Sequence, residues 1–71
     1  MPSFSQDVFS SMASSISYDA DSQTLMITYN SGKTYAYAGV PEDVAWDTAN
    51  AASVGEYINE NIKGRYSFRR L

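Results

Sequence analysis

Two stretches of the sequence combine residue types that could bind a ligand. Tyr35 and Tyr37 form a Tyr-x-Tyr pair, whose rings could stack on a nucleic-acid base, a proline-rich peptide or a cation. The tail "KGRYSFRR", residues 63–70, interleaves cations with aromatic rings, a pattern typical of sites that neutralise phosphates while stacking bases. The candidate binding residues of the tail are Lys63, Arg65, Tyr66, Phe68, Arg69 and Arg70.

The charge balance favours a protein over a nucleic acid as the partner. The net charge is −3, and residues 63–71 hold four of the five cations with no acid among them. The rest of the chain is therefore acidic and would repel a nucleic acid, while cations that follow a helix are favourable for its dipole alone. We expect a protein partner, with nucleic acid at residues 63–70 as the alternative.

The carboxylates give weaker signals. Asp19 and Asp21 resemble the start of an oxygen-ligand loop for Ca²⁺, but the glycine and the bidentate glutamate of an EF-hand are missing. A turn accounts for both residues. Glu42, Asp43 and Asp47 lie along one predicted helix, where a solvated N-terminus explains them without a catalytic pocket.

The absence of histidine and cysteine excludes several function classes. Ser-His-Asp and Cys-His catalysis, disulfides and zinc sites of the usual kind all need residues that the chain lacks. A chain of 71 residues is also too small for a deep catalytic pocket. We predict that the protein is not an enzyme and needs no cofactor and no metal.

The opening 17 residues contain no Lys or Arg and no continuous apolar run. Neither a signal peptide nor a membrane span is indicated, so we expect a cytoplasmic protein that does not bind a membrane. The hydrophobic and aromatic fractions, 44% and 14%, are those of a folded globular chain.

The segment "TLMITYNSGKTYAYAGV" predicts a β-hairpin, and its apolar pattern selects the loop. A two-residue loop would put Tyr35 and Tyr37 on the opposite face from Leu25 and Ile27. A three-residue loop with Gly32 in the left-handed conformation pairs Ile27 with Tyr35 and Leu25 with Tyr37. We predict this second register, which favours a structural role for both tyrosines, with their hydroxyls at the rim.

Two helices are predicted after the hairpin. The first covers "PEDVAWDTANAA", residues 41–52, with Pro41 at its first position. Trp46 is not on the core-facing side of this helix, so it either covers the rim of the core or faces a partner. The second follows "SVGE", a capping box in which Ser53 and Glu56 satisfy backbone donors, and Gly64 ends it.

These elements predict a single α+β domain. Its core is a three-stranded antiparallel β-meander from about residue 14 to residue 40, with two α-helices packed on one face. Residues 1–13 are predicted to be a loosely ordered N-terminal segment, within which Val8, Phe9 and Met12 have the spacing of a short helical turn. Residues 14–71 form the domain, and the tail is expected to be extended.

Several motifs in order resemble the KTSC domain, a module named for its occurrence at the C-terminus of some lysyl-tRNA synthetases and also found as small bacterial and phage proteins. The matching motifs are Tyr35-Ala36-Tyr37, Gly39-Val40-Pro41, Ala52-Ser53-Val54-Gly55 and Tyr66. The resemblance runs from Ser14 to Leu71. It implies a fold and an association, with no catalytic residue or cofactor and no role for Trp46.

We therefore expect a small non-enzymatic module that binds another macromolecule. A protein partner is preferred, reached through the acidic face and Trp46, and the chain could be a phage or prophage modulator of a host machine. The alternative is an RNA- or DNA-binding accessory domain that uses the basic and aromatic tail.

Overall fold

A five-stranded antiparallel sheet forms one layer of the protein, and two short helices form the other. The computed structural model describes residues 3–71, and within that range no helix is long and apolar enough to cross a lipid bilayer. The sheet order follows the chain order, β1 to β5. The elements are β1 (Phe4–Asp7), β2 (Ala13–Asp19), β3 (Thr24–Tyr29), β4 (Thr34–Tyr37), α1 (Glu42–Ala49), α2 (Val54–Tyr57) with a π-helical continuation (Ile58–Ile62), and β5 (Phe68–Arg70).

The predicted hairpin register is confirmed. Ile27 pairs with Tyr35 and Leu25 with Tyr37. The turn closes with a hydrogen bond of 2.8 Å from the Tyr29 N–H to the Lys33 carbonyl. Gly32 has a φ of +90°, a conformation that costs a residue with a Cβ about 1 kcal/mol or more.

The predicted number of strands is wrong, because the sheet has five strands and not three. Strand β1 was missed at the N-terminal edge, where Phe4 pairs with Tyr18 and Gln6 with Ile16. Its sequence "FSQD" holds one apolar residue, so no alternation marks it as a strand. The Gln6 side chain also donates to the Ala49 carbonyl at 3.3 Å, which ties this edge to α1.

The helical turn expected around Val8 and Met12 does not form. The chain there is an irregular loop, in which the Val8 N–H donates to the Ser14 carbonyl at 3.0 Å. Looser order over residues 1–13 stays a prediction, and Met1 and Pro2 lie outside the described residues.

The extended tail forms the other edge of the sheet. In β5, Phe68 pairs with Tyr37 and Arg70 with Tyr35. The alternation of large and polar residues in "RYSFRRL" predicted an extended end that could add to the sheet, but the predicted three-stranded meander did not include it.

Both predicted helices are present, with shifted ends. Helix α1 begins at Glu42, one residue later than predicted, because Pro41 is extended (ψ 154°) and occupies the cap position. It ends at Ala49, three residues before the predicted end. Ser53 begins α2 by accepting a hydrogen bond from the Glu56 N–H at 3.4 Å, which confirms the serine half of the capping box.

One face of the sheet carries the core. Apolar side chains from β2, β3 and β4 meet those of α1, α2 and the π-helical turn, and the Tyr18 hydroxyl donates to the Val40 carbonyl at 2.7 Å where the chain leaves β4 for α1. The buried apolar residues in contact are Ala13, Ile16, Tyr18, Leu25, Ile27, Tyr37, Val40, Ala45, Ala49, Val54, Ile58 and Ile62.

The register predicts that substitutions at two neighbouring residues of β3 destabilise the fold by different amounts. Ile27→Ala should lower the free energy of unfolding by about 3 kcal/mol, because Ile27 is fully buried on the core face. Met26→Ala, the matched control on the opposite face, should cost clearly less. Urea denaturation measures both values, and Ile27→Val keeps the comparison open if Ile27→Ala does not fold. A larger loss for Met26 would mean that the strand has slipped by one residue.

Candidate binding groove

An open groove of about 700 Å³ lies between the β3–β4 hairpin and the end of the second helix. Aromatic side chains form its floor, since the hairpin register places three tyrosines on one face and β5 adds Phe68 beside Tyr37. The loop before β2 and the turn after β3 close one end. The groove is lined by Ser11, Met12, Tyr29, Asn30, Ser31, Lys33, Tyr35, Tyr37, Lys63, Gly64 and Phe68.

The aromatic rings of the groove pack on one another and leave one ring open to solvent. Tyr29 and Tyr35 meet edge to face, with centroids 5.4 Å apart and planes at 87°. Phe68 lies 5.5 Å from Tyr35 and 5.8 Å from Tyr37. Because 60% of Phe68 is exposed, its ring is available for stacking on a ligand.

Two tyrosine hydroxyls form a hydrogen-bonded pair at the base of the groove. The Tyr29 and Tyr37 oxygens are 2.7 Å apart. Burial, and then the hydrogen bond to Tyr37, raises the pKa of Tyr29 well above its ordinary value. The Tyr29 hydroxyl therefore stays protonated at neutral pH and serves as a hydrogen-bonding group, not as a nucleophile.

Two lysines give the groove its charge. The Lys63 ammonium lies 5.4 Å from the centroid of the Tyr29 ring, within the range of a cation–π contact. The end of the π-helical turn holds this residue, because the Lys63 N–H donates to the Ile58 carbonyl five residues earlier, at 2.9 Å. Lys33 lines the groove from the end of the hairpin turn, and no Asp or Glu is among the lining residues of the described chain.

The structure brings together four of the nine predicted binding residues: Tyr35, Tyr37, Lys63 and Phe68 all line the groove. Arg70 pairs with Tyr35 and so lies on the same face of the sheet, at its edge. Arg69 pairs with Ala36 and lies on the opposite face. The basic tail is therefore divided between the two faces.

The other three predicted residues lie away from the groove lining. The Arg65 guanidinium donates to the Glu60 carbonyl at 3.2 Å. Tyr66 is partly buried against the core. Trp46 stacks on Phe4 with centroids 4.2 Å apart, at the opposite edge of the sheet. Trp46 thus covers the rim of the core and remains 38% exposed.

Two groove residues were missed as binding candidates from the sequence. Tyr29 shares a face with Tyr35 and Tyr37 in the predicted register, so that register already contained the signal. Lys33 directly follows the turn glycine, and a lone lysine there carries no pattern.

Within residues 3–71, no group of three or more carboxylates lies close enough to hold a metal ion.

Comparisons with known proteins identify the fold and its relatives. The family model for the KTSC domain matches residues 9–66. The crystal structure of a KTSC domain protein from Yersinia pestis superposes with a TM-score of 0.91 at 36% sequence identity, and the match covers 99% of each chain.

The sequence relatives are of two sizes. A lysine–tRNA ligase from Nostoc punctiforme is 41% identical over 61 residues, which is 86% of this chain and 11% of that protein. The chain thus spans about a tenth of the length of the ligases that it matches. A protein from Tsukamurella paurometabola is 36% identical over 86% of this chain and 91% of its own length.

The hydroxyl pair predicts how Tyr29 titrates. Tyr37→Phe removes its hydrogen-bond partner, so the pKa of Tyr29 should fall, yet stay above 10.0 because burial is the larger cause. Tyr35→Phe, the matched control, loses a hydroxyl from the same groove but leaves the pair intact and should change this pKa less. NMR of tyrosine ring carbons during a pH titration measures each value, and an equal fall in both variants would contradict the assignment.

The raised pKa of Tyr29 also makes the stability of the fold depend on pH. Because the pKa of Tyr29 is higher in the folded chain than in the unfolded chain, the folded state holds the proton more tightly. This contribution to the free energy of unfolding is complete below pH 10.0 and is lost as the pH rises above it. Urea midpoints measured at rising alkaline pH should fall, and they should fall less steeply in Tyr37→Phe.

Proposed function

Because the chain belongs to the KTSC domain family, we propose that it is a small non-enzymatic binding module whose aromatic groove holds a short stretch of single-stranded RNA. The observation that carries this proposal is the composition of the groove. Four aromatic rings and two lysines line it, and no carboxylate among residues 3–71 does, although the chain as a whole has a net charge of −3.

The exposed ring of Phe68 supplies the stacking surface. A base laid on an aromatic side chain contributes about 1–3 kcal/mol, and such stacking is available in single strands because their bases are unpaired. Phe68 packs against Tyr35 and Tyr37, and these contacts restrict the orientation of its ring in the absence of a ligand. A base can therefore stack without first ordering the side chain.

The lysines supply the attraction for phosphate. Lys33 and Lys63 line the groove, and Arg70 lies on the same face at the sheet edge. Each phosphate that they neutralise releases a condensed counterion, which makes binding favourable at low salt. All eight acids lie outside the groove, where Arg65 and Arg69 only partly offset them, so the remaining surface disfavours a nucleic acid.

The relatives fit an RNA ligand. The match to a lysine–tRNA ligase, a protein whose name includes a tRNA, supports an accessory RNA-binding role for the shared segment. The sequence favoured a protein partner and gave RNA or DNA as the alternative. The groove favours RNA at this site, since it gathers aromatic and cationic groups that the sequence shows as separate stretches.

Binding of a labelled single-stranded RNA of about eight nucleotides tests the proposal by fluorescence anisotropy at low salt. Phe68→Ala should weaken binding about tenfold or more, because a stacked base is lost. Lys63→Ala should weaken binding and reduce the dependence on salt by about one phosphate contact. Duplex RNA of the same sequence should bind more weakly.

Arg69 and Arg70 form a matched pair of controls. Each substitution to alanine removes one charge from the same strand, but only Arg70 lies on the face of the groove. Arg70→Ala should therefore weaken RNA binding more than Arg69→Ala. Equal effects would indicate attraction by net charge alone, and absence of binding at low salt would reject the groove as an RNA site.

A further inference from the structure

We propose that a second surface binds an arginine-bearing segment of a protein partner. This surface, called here the acidic ledge, consists of Phe4, Glu42, Asp43, Trp46 and Asp47. It lies at the β1 edge of the sheet, opposite the edge at which β4 and β5 border the groove. It is a different surface from the proposed RNA site and does not depend on it.

Stacked aromatic rings form the centre of the ledge. Phe4 and Trp46 have centroids 4.2 Å apart and planes at 24°. Phe4 packs on the core and fixes one side of the indole, while 38% of Trp46 remains in solvent. The indole is therefore a rigid aromatic surface, held in place before a partner arrives.

Three carboxylates lie on the same helix as the exposed indole. Glu42 and Asp43 precede Trp46 by four and three residues on α1, a spacing that places side chains on the same face of a helix. Asp47 follows directly and lies four residues after Asp43. Helix α1 has no basic residue in its last turn, so it does not pair these acids itself.

One of these carboxylates is short of hydrogen-bond donors. The Oε2 atom of Glu42 is buried and has no partner among the residues that the structure describes. A carboxylate oxygen held out of water without a donor is unfavourable, and a cation bound close to Glu42 would reduce this cost electrostatically. The unpaired oxygen is an observation separate from the aromatic stack, and it too favours a cation at the ledge.

Arginine fits the combination better than lysine does. A guanidinium is planar, stacks on an indole face and still presents donors in its own plane to a carboxylate. The ledge offers both surfaces side by side, an indole and acids one helical turn away. The occupant is a protein segment, since the acids repel phosphate.

The charges of the chain separate the two surfaces. Lys33 and Lys63 line the groove, and Arg69 and Arg70 lie in β5 at the sheet edge opposite β1, so these four cations are separate from the ledge. A basic segment is therefore attracted to the ledge and repelled from the groove.

Trp46 is the single tryptophan of the chain, so its fluorescence reports on the ledge alone. The probe is an unstructured peptide of alternating arginine and serine, added at low salt to the full chain. We expect a saturable change in Trp46 emission and affinity about threefold tighter than for the matched lysine peptide. Single-stranded RNA should leave the emission unchanged, and Lys63→Ala should leave peptide binding unchanged.

Two double variants separate the ledge from net charge. Asp43→Asn with Asp47→Asn should weaken binding of a labelled arginine peptide about threefold or more. Asp21→Asn with Glu60→Gln makes the same change in net charge at exposed positions away from the ledge and should have less effect. Trp46→Ala should also weaken binding, and Trp46→Phe, which retains a ring against Phe4, should recover part of it.

Three results would overturn the proposal. They are equal losses of peptide affinity in the two double variants, an unchanged Trp46 emission at saturating peptide, and self-association in sedimentation that Asp43→Asn with Asp47→Asn abolishes. The last result would assign the ledge to a second copy of this chain. None of these results depends on whether the groove binds RNA.

Discussion

The pairing of Ile27 with Tyr35 is the interaction on which the rest of the structure depends. It requires a three-residue loop, which in turn requires Gly32 at a φ of +90°. Side chains alternate along a strand, so this single choice of loop sends Leu25 and Ile27 under the helices and three tyrosines to the same face. The core and the groove are therefore two parts of one surface, fixed by one turn.

The groove exists because the sheet is wider than the helices that cover it. Helix α1 contacts β2, and the two helices contact each other, while β5 continues the sheet beyond them. Residues 3–71 provide no further helix to cover that edge. Tyr29 and Tyr35 are thus only partly buried and Phe68 is exposed. Lys63, which follows the π-helical turn, lies over the Tyr29 ring.

The sequence predicted those parts of the fold in which local pattern and burial agree. The hairpin register was predictable because only one loop length kept the apolar residues together, and Ser53 and Gly64 marked the ends of the second helix. Strand β1 was not, because its pairing with β2 is a tertiary contact and only Phe4 is apolar. The π-helical turn ends with a backbone hydrogen bond from Lys63 to Ile58, and no side-chain pattern in the sequence indicated this five-residue spacing.

The residues that line the groove were harder to predict than the fold because the tail alternates between faces. Residues 63–70 look like one basic and aromatic site in the sequence, yet pairing with β4 sends Arg69 and Arg70 to opposite faces. Of the tail, Lys63 and Phe68 line the groove. They lie there beside Tyr29 and Lys33, which come from another part of the chain. Since the acids of α1 lie at the other edge, the sheet keeps opposite charges apart and can present each to a ligand of the opposite sign.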